Sequence, residues 1–295
     1  MGELCPKEIG QRLKAFRLGS HYSTEEIASR IGISRAALYR YEKGDPPKLE
    51  TLESIAELLG VSLTSLMGVG VEYLSSAVSF FERMRQVEAS SEHLSVMFGL
   101  VSYLLTTDDF DEYLTVAIRE GLPECIADSE KTDKHIAEVL SILKERKKGY
   151  LKRRPGIVNL ASATDFEKFL RNGFVGTYDL PENVLNERRE VARREVENVA
   201  SMLEEQPIGV QIGILVDSVP STCFQIFRQP ERSTLCISPY KLSDFPNIRL
   251  GVGMITSAPE ALELHEKMVV ELWGKALKGG RAADYLRKMI KESGL

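Results

Sequence analysis

Along the first part of the chain, apolar residues recur at helical spacing and polar caps punctuate them. Ile9, Leu13 and Phe16 form one face of a helix expected over Pro6–Leu18. Ser23-Thr24-Glu25-Glu26 then has the form of a capping box: the Ser23 hydroxyl takes a free backbone N–H, and Glu26 reaches back to the N–H of Ser23. The helix it opens, over 24–30, turns Ile27 and Ala28 inward, and Gly32 supplies the left-handed position at its end. Ser34 caps a third helix over 35–43, which Gly44 and Pro46-Pro47 stop. A fourth helix is expected over 49–59, closed by Gly60, and Ser62 starts a fifth short turn.

After Gly68-Val69-Gly70 the pattern changes, which places a hinge there. From residue 71 to about 205 the spacing predicts helices throughout. Leu74, Val78, Phe81 and Met84 make one stripe, Val96, Leu100 and Leu104 a second, and further helices are expected over 109–120, 133–147, 165–171 and 181–204. Beyond Pro207 the period moves toward two. Four strands are expected over 208–216, 222–228, 233–238 and 247–255, forming a mostly antiparallel sheet because the connections are short. Helices over 259–277 and 281–292 are expected to cover one face of that sheet.

The stretch from Tyr22 to Gly44, Tyr-Ser-Thr-Glu-Glu-Ile-Ala-Ser-Arg-Ile-Gly-Ile-Ser-Arg-Ala-Ala-Leu-Tyr-Arg-Tyr-Glu-Lys-Gly, resembles the XRE (Cro/cI-like) helix-turn-helix family, and the likeness continues through Leu52 to Ser62. The resemblance implies a five-helix, lambda-repressor-like domain that reads double-stranded DNA in the major groove. It implies base-reading positions at Arg35, Ala36 and Arg40, and phosphate-clamping positions at Thr24, Ser34 and Lys43. The family commonly carries glutamine where this chain has Thr24, and a threonine hydroxyl reaches less far. It also implies a partly buried ion pair between Arg17 and Glu42 that ties the first helix to the third.

The residues support the same chemistry independently. Ala28 lets helices two and three approach, and Ile27, Ile33 and Leu38 bury their junction, which leaves Arg35, Ala36, Tyr39, Arg40 and Lys43 on the outer face of the third helix. Arginine can bond two acceptors on a guanine edge, and an alanine methyl can meet the methyl of thymine.

The expected fold class is therefore mainly α with a C-terminal α/β part. It comprises a DNA-binding domain at 1–68, a helical dimerisation and regulatory region at 71–205, and an α/β effector-sensing domain at 206–295.

Charge sharpens this division. The whole chain carries −5, yet between Pro6 and Lys48 nine basic residues stand against five acidic ones, a local balance of +4. A basic head on an acidic body fits a DNA reader joined to something else. No run approaches a membrane span, and the N-terminus lacks a basic-then-apolar pattern, so the expected location is the cytoplasm. Cys5, Cys125, Cys223 and Cys236 lie far apart, and His21, His93, His135 and His265 show no metal spacing. No metal, cofactor or catalytic residue is expected.

Other features of the body are open to two readings. The basic run from Lys144 to Arg154 suits flanking DNA or an anionic effector, or simply a solvated helix end. Arg188, Arg189, Arg193 and Arg194 beside glutamates are expected to form surface pairs one helical turn apart. Gly173 and Gly176 lack the context of a phosphate loop, and His265-Glu266-Lys267 lacks the aspartate of a phospholipase-D-like site. Gly209, Gly213, Gly251 and Gly253 in expected strands point to close backbone approach or ligand access. The expected function is a sequence-specific, homodimeric repressor or activator that responds to a small molecule. An enzyme fused to a DNA-binding head and a protein-controlled adaptor are the alternatives.

Overall fold

The computed structural model describes residues 5–293 except 98, 128, 218 and 219. Residues 1–4, part of the expected N-terminal domain and of the stretch read for a signal, lie outside the described residues, as do 294–295 at the other end.

Five helices build the head: α1 (Pro6–Leu18), α2 (Thr24–Arg30), α3 (Arg35–Lys43), α4 (Leu49–Leu59) and α5 (Leu63–Met67). Their ends follow from local chemistry. Ser23 and Glu26 form both halves of the capping box on α2, and Ser34 accepts the Ala37 N–H at the start of α3. Gly44 leaves α3 with a φ of +114°, where a side chain would be strained. Gly10 serves packing instead: a Cβ there would collide with the carbonyl oxygens of Tyr41 and Glu42, so its absence lets α1 lie directly on α3.

The body differs from the sequence expectation. Val71–Leu74 is an edge strand, β1, and the helix that follows, α6, covers Ala77–Glu88. The second apolar stripe is likewise a strand, β2 (His93–Met97), followed by a 3₁₀ turn at Tyr103–Leu105, and a third strand that the pattern did not show, β3, runs over Gly156–Ser162. Between β2 and β3 stand α7 (Phe110–Glu120), α8 (Glu124–Ala127) and α9 (Glu130–Arg153). α10 (Ala163–Asn172) and α11 (Glu182–Glu205) lead on to β4 (Val210–Leu215), β5 (Cys223–Arg228), β6 (Ser233–Ser238) and β7 (Gly253–Thr256). The chain ends with α12 (Pro259–Lys275), β8 (Leu277–Lys278) and α13 (Gly279–Glu292).

These strands form one eight-stranded mixed sheet in the order β1-β7-β6-β5-β2-β3-β4-β8. The expectation of a helical 71–205 followed by a separate four-stranded, largely antiparallel sheet is thereby corrected, since the sheet draws strands from both sides of residue 205. Its central strands β2, β3 and β4 run parallel. Parallel neighbours need crossovers, and the helices α7–α9 and α10–α11 are those crossovers.

Both faces of the sheet are covered, another departure from the single covered face expected. On one side Met97, Leu160, Phe224, Ile226 and Leu235 pack with Val269 and Leu272 of α12. On the other, Val96, Ile212, Phe227, Cys236 and Ile255 face the larger core built by α6, α9, α10, α11 and α13. A strand buried on both sides loses the alternation that identifies it in sequence.

The head is fastened to this sheet through α1 and α6. Glu72 of β1 accepts from Arg12 of α1 at 2.7 Å and from Arg83 of α6 at 2.8 and 2.9 Å, all three side chains being buried. Burial alone would raise a carboxylate, but the two guanidiniums hold Glu72 below its ordinary value. Gln86 donates to the Gln11 carbonyl at 3.0 Å, and Arg232 bonds Glu8 at 2.7 Å. Gly68 closes the head beside this cluster, and a side chain there would occupy the space of the Arg12 guanidinium.

Candidate nucleic-acid interface and an interior cavity

Helix α3 buries Ala37 and Leu38 and leaves Arg35, Ala36, Tyr39, Arg40 and Lys43 exposed. The arginines are engaged only loosely. Arg35 meets Glu25 at 2.5 Å and donates to the Tyr39 hydroxyl at 3.4 Å, with both charged side chains more than half exposed. Arg40 stands 3.7 Å from Asp45, again at the surface. Exposed pairs of this kind are worth about 0–1 kcal/mol, so a nucleic acid can displace them. Hydrogen bonding from Arg35 lowers the Tyr39 phenol from its usual range.

Ser34 and Lys43 lie at the two ends of α3, both exposed. Thr24, by contrast, is buried, with 8% of its surface exposed. The shorter residue at the start of α2 therefore packs inward. Behind the face, Arg17 donates to both oxygens of Glu42 at 2.5 and 3.1 Å, with 12% and 6% of the two side chains exposed.

The body holds a second candidate site, which sequence reasoning did not locate. A cavity of about 740 Å³ opens at the carboxyl ends of β2 and β3. Phe81 and Met84 of α6, Arg146 of α9, Phe166 and Phe169 of α10, and Val196 of α11 are among the residues around it. Rims from distant parts of the chain close it, including Gly99–Tyr103, Pro220–Gln225 and Ile237–Asp244. Gly209, Gly213, Gly251 and Gly253, read as signs of close approach or ligand access, are not among its lining residues, and Gly253 makes room for the Phe80 ring.

Several charges read as surface features are structural. Arg146, within the basic run, is buried and donates to Glu88 at 2.9 and 2.6 Å. Lys147 donates to the Thr107 carbonyl at 2.6 Å, and Arg153 donates to the Ser91 and Glu88 carbonyls. Arg188 pairs with Glu187 of its own helix at 3.6 Å but turns mainly inward. It is 9% exposed, reaches Glu120 of α7 at 3.4 Å and lies over the Tyr113 ring.

The four cysteines are free, two exposed, one half-buried and one, Cys236, buried, where desolvation raises its thiol. Among the described residues no His, Cys, Asp or Glu cluster could hold a metal ion, and no helix is long and apolar enough to cross a membrane.

A compact bundle that exposes one basic helix defines a helix-turn-helix protein, and comparison identifies its kind. A helix-turn-helix family model matches residues 13–66. The cryptic phage CTXphi transcriptional repressor RstR of Vibrio cholerae is 31% identical over 88 residues, which is 28% of this chain and 79% of that protein. The SPbeta prophage-derived uncharacterized HTH-type transcriptional regulator YonR of Bacillus subtilis (strain 168) is 38% identical over 60 residues, 20% of this chain and 56% of that one. The chain belongs, through its head, to the XRE-type helix-turn-helix family of DNA-binding transcriptional regulators. A solved structure of TrmBL2, described as an archaeal chromatin protein with a novel mode of DNA binding, aligns with 91% of this chain and 93% of that one at 9% identity, with a TM-score of only 0.31.

Proposed function

We propose that the protein is a homodimeric, sequence-specific DNA-binding regulator whose affinity for its operator is set by a small molecule bound in the body. It acts by binding rather than by catalysis. The DNA-reading residues are Arg35, Ala36 and Arg40 for bases, with Tyr39 beside them and Ser34 and Lys43 on phosphates. Dimerisation follows from economy of recognition, since one helix reads few base pairs and two half-sites a turn apart multiply specificity.

One observation carries the effector reading. A single helix, α6, borders the cavity with Phe81 and Met84, bonds the head through Gln86, and through Arg83 holds Glu72, the partner of Arg12. A ligand that moves α6 thus acts directly on the Arg12–Glu72–Arg83 cluster and on α1, against which the recognition helix is packed. The same helix ends at Glu88, whose partner Arg146 also lines the cavity.

Selection of bound duplexes from random oligonucleotides by the full chain tests this function, run with and without a metabolite extract. A two-fold symmetric consensus whose recovery changes with the extract is the expected result. Recovery of duplexes without any preference under both conditions overturns the reading.

A further inference from the structure

The cavity lies where the sheet changes character. Its floor is the carboxyl end of β2 and β3, beside β5, which runs antiparallel to β2. Crevices at the carboxyl ends of parallel strands, next to a reversal of strand order, are the usual ligand positions of open sheets. The volume of about 740 Å³ falls within the roughly 300–1,000 Å³ of small-molecule sites.

Its walls are rich in rings, with Phe81, Tyr103, Phe110, Phe166, Phe169 and Phe224 all lining it. Many polar side chains line it as well, and two of them stand apart. Gln225 and Tyr240 line the cavity, and the Oε1 of the first and the hydroxyl of the second are buried with no hydrogen-bond partner among the described residues. Tyr240 is 7% exposed, and burial pushes its phenol up to about 12, so it stays an O–H donor at neutral pH. A third such atom, Nδ2 of Asn159, lies on the same face of the sheet, because Gln225 and Asn159 both pair in register with Val96. The other end of that amide accepts the Ser102 N–H on the cavity rim at 2.7 Å. Leaving a buried polar atom unpaired costs about 1–3 kcal/mol, so the two borne by lining residues call for partners from outside the chain.

Charge then limits what those partners can be. Arg146 is committed to Glu88, Lys241 lies 2.8 Å from Asp244, and Lys168 is exposed. Of the lining carboxylates, Asp165 and Glu195 are both shifted upward by burial, toward the neutral acid. An anion would find no buried, uncommitted cation among these groups and would meet carboxylates instead.

We propose that this cavity binds an uncharged aromatic ring compound bearing an N–H or O–H donor. The ring lies among the phenylalanines, the donor goes to Oε1 of Gln225, and any acceptor on the ligand takes the hydroxyl of Tyr240. The proposal rests on the effector reading for its biological purpose, whereas its test does not.

The test uses two dyes with one skeleton. N-phenyl-1-naphthylamine is neutral with a single N–H donor, and 8-anilino-1-naphthalenesulfonate adds a negative charge. Titrated into the full chain, the neutral dye is expected to bind saturably and about tenfold or more tighter than the sulfonate, which must bury an unpaired charge. Gln225→Leu should weaken the neutral dye about fivefold, the value of one hydrogen bond. Tyr240→Phe should leave it unchanged, since this dye offers no strong acceptor. Ile237→Trp, at a half-buried lining position, should block it, with urea midpoints verifying that each variant is folded.

Equal or tighter binding of the sulfonate overturns the proposal, as does neutral-dye binding indifferent to Gln225→Leu. If Ile237→Trp fails to fold, Gln225→Leu still decides. A chain that selects an operator but takes up no neutral dye overturns the ligand assignment and leaves the regulator reading intact. A chain that binds the dye through Gln225 but shows no duplex preference does the reverse.

Discussion

In the head, Arg35 meets Glu25 with 59% and 58% of the side chains exposed, whereas in the body Arg83 meets Glu72 with 3% and 7% exposed. The same pair of chemical groups serves opposite ends. At the surface, water competes with the contact and little is gained by forming it, so the guanidinium stays available to another partner. In the interior the desolvation cost is already incurred, and losing either member strands a buried charge. The head therefore keeps the arginines of α3 exchangeable, while the joint between head and body is held by charges that cannot easily separate. That division suits the proposed regulator, which must release DNA while its head stays joined to its body.

Removing the carboxylate at the joint gives the largest expected effect. Glu72→Ala leaves Arg12 and Arg83 buried without a counter-ion, and unfolding by urea should show a loss of about 3–5 kcal/mol. The folded-state pKa of Glu72 lies below its ordinary 4.5, so its contribution is present above that value and lost as pH falls beneath it. The isosteric Glu72→Gln variant should accordingly show a shallower loss of stability below pH 4.5 than the parent chain. Glu42→Ala strands Arg17 within the head and should cost about 3 kcal/mol, the lower end of the range because Arg17 is already 12% exposed. A melting curve unchanged by either alanine would erase the contrast between buried and exposed pairs.

The two regions also differ in how far the sequence discloses them. Helices α2 and α3 of the head are bounded by signals within a few residues: Ser23 with Glu26, Ser34 with the Ala37 N–H, and Gly44 at positive φ. Local chemistry determines them, and so does the exposure of Arg35 and Arg40 once Leu38 points inward. In the body the decisive partners lie far apart in the chain. His93–Met97 becomes a strand because β3, more than fifty residues later, and β5, more than a hundred later, pair with it. Four of its five residues are buried, so no alternation marks it. The cavity was illegible for the same reason, since Phe81, Phe166 and Tyr240 are brought together only by those pairings. Thr24 marks the limit within the head: the capping pattern places it at the start of α2, but only the structure shows that it is buried.

Substitutions on α3 should sort by what each side chain touches rather than by its charge. Arg35→Ala and Arg40→Ala should each reduce specific relative to non-specific DNA affinity by about 1–3 kcal/mol, as expected for bidentate base contacts. Lys43→Ala should weaken all duplexes alike and lower the salt dependence by about one counter-ion. In the absence of DNA all three should melt within about 0.5 kcal/mol of the parent chain, since their present partners are at the surface. Equal losses on every sequence for all three variants would make α3 a phosphate-binding helix without base readout.

The smallest effect is the sharpest test of why the exposed pairs are there. Glu25 is the only carboxylate in contact with Arg35 among the described residues, and their 2.5 Å contact must break before the guanidinium can reach a base edge. Glu25→Gln removes that competitor and one negative charge facing the phosphates. Stability should stay within about 0.5 kcal/mol, as for other exposed pairs, while specific DNA affinity rises about twofold at low salt. The gain should fade as ionic strength rises, because salt already screens the pair in the parent chain. If affinity instead falls, Glu25 orients Arg35 rather than restraining it, and the surface pairs of the head are part of its recognition geometry just as the buried pairs are part of the joint.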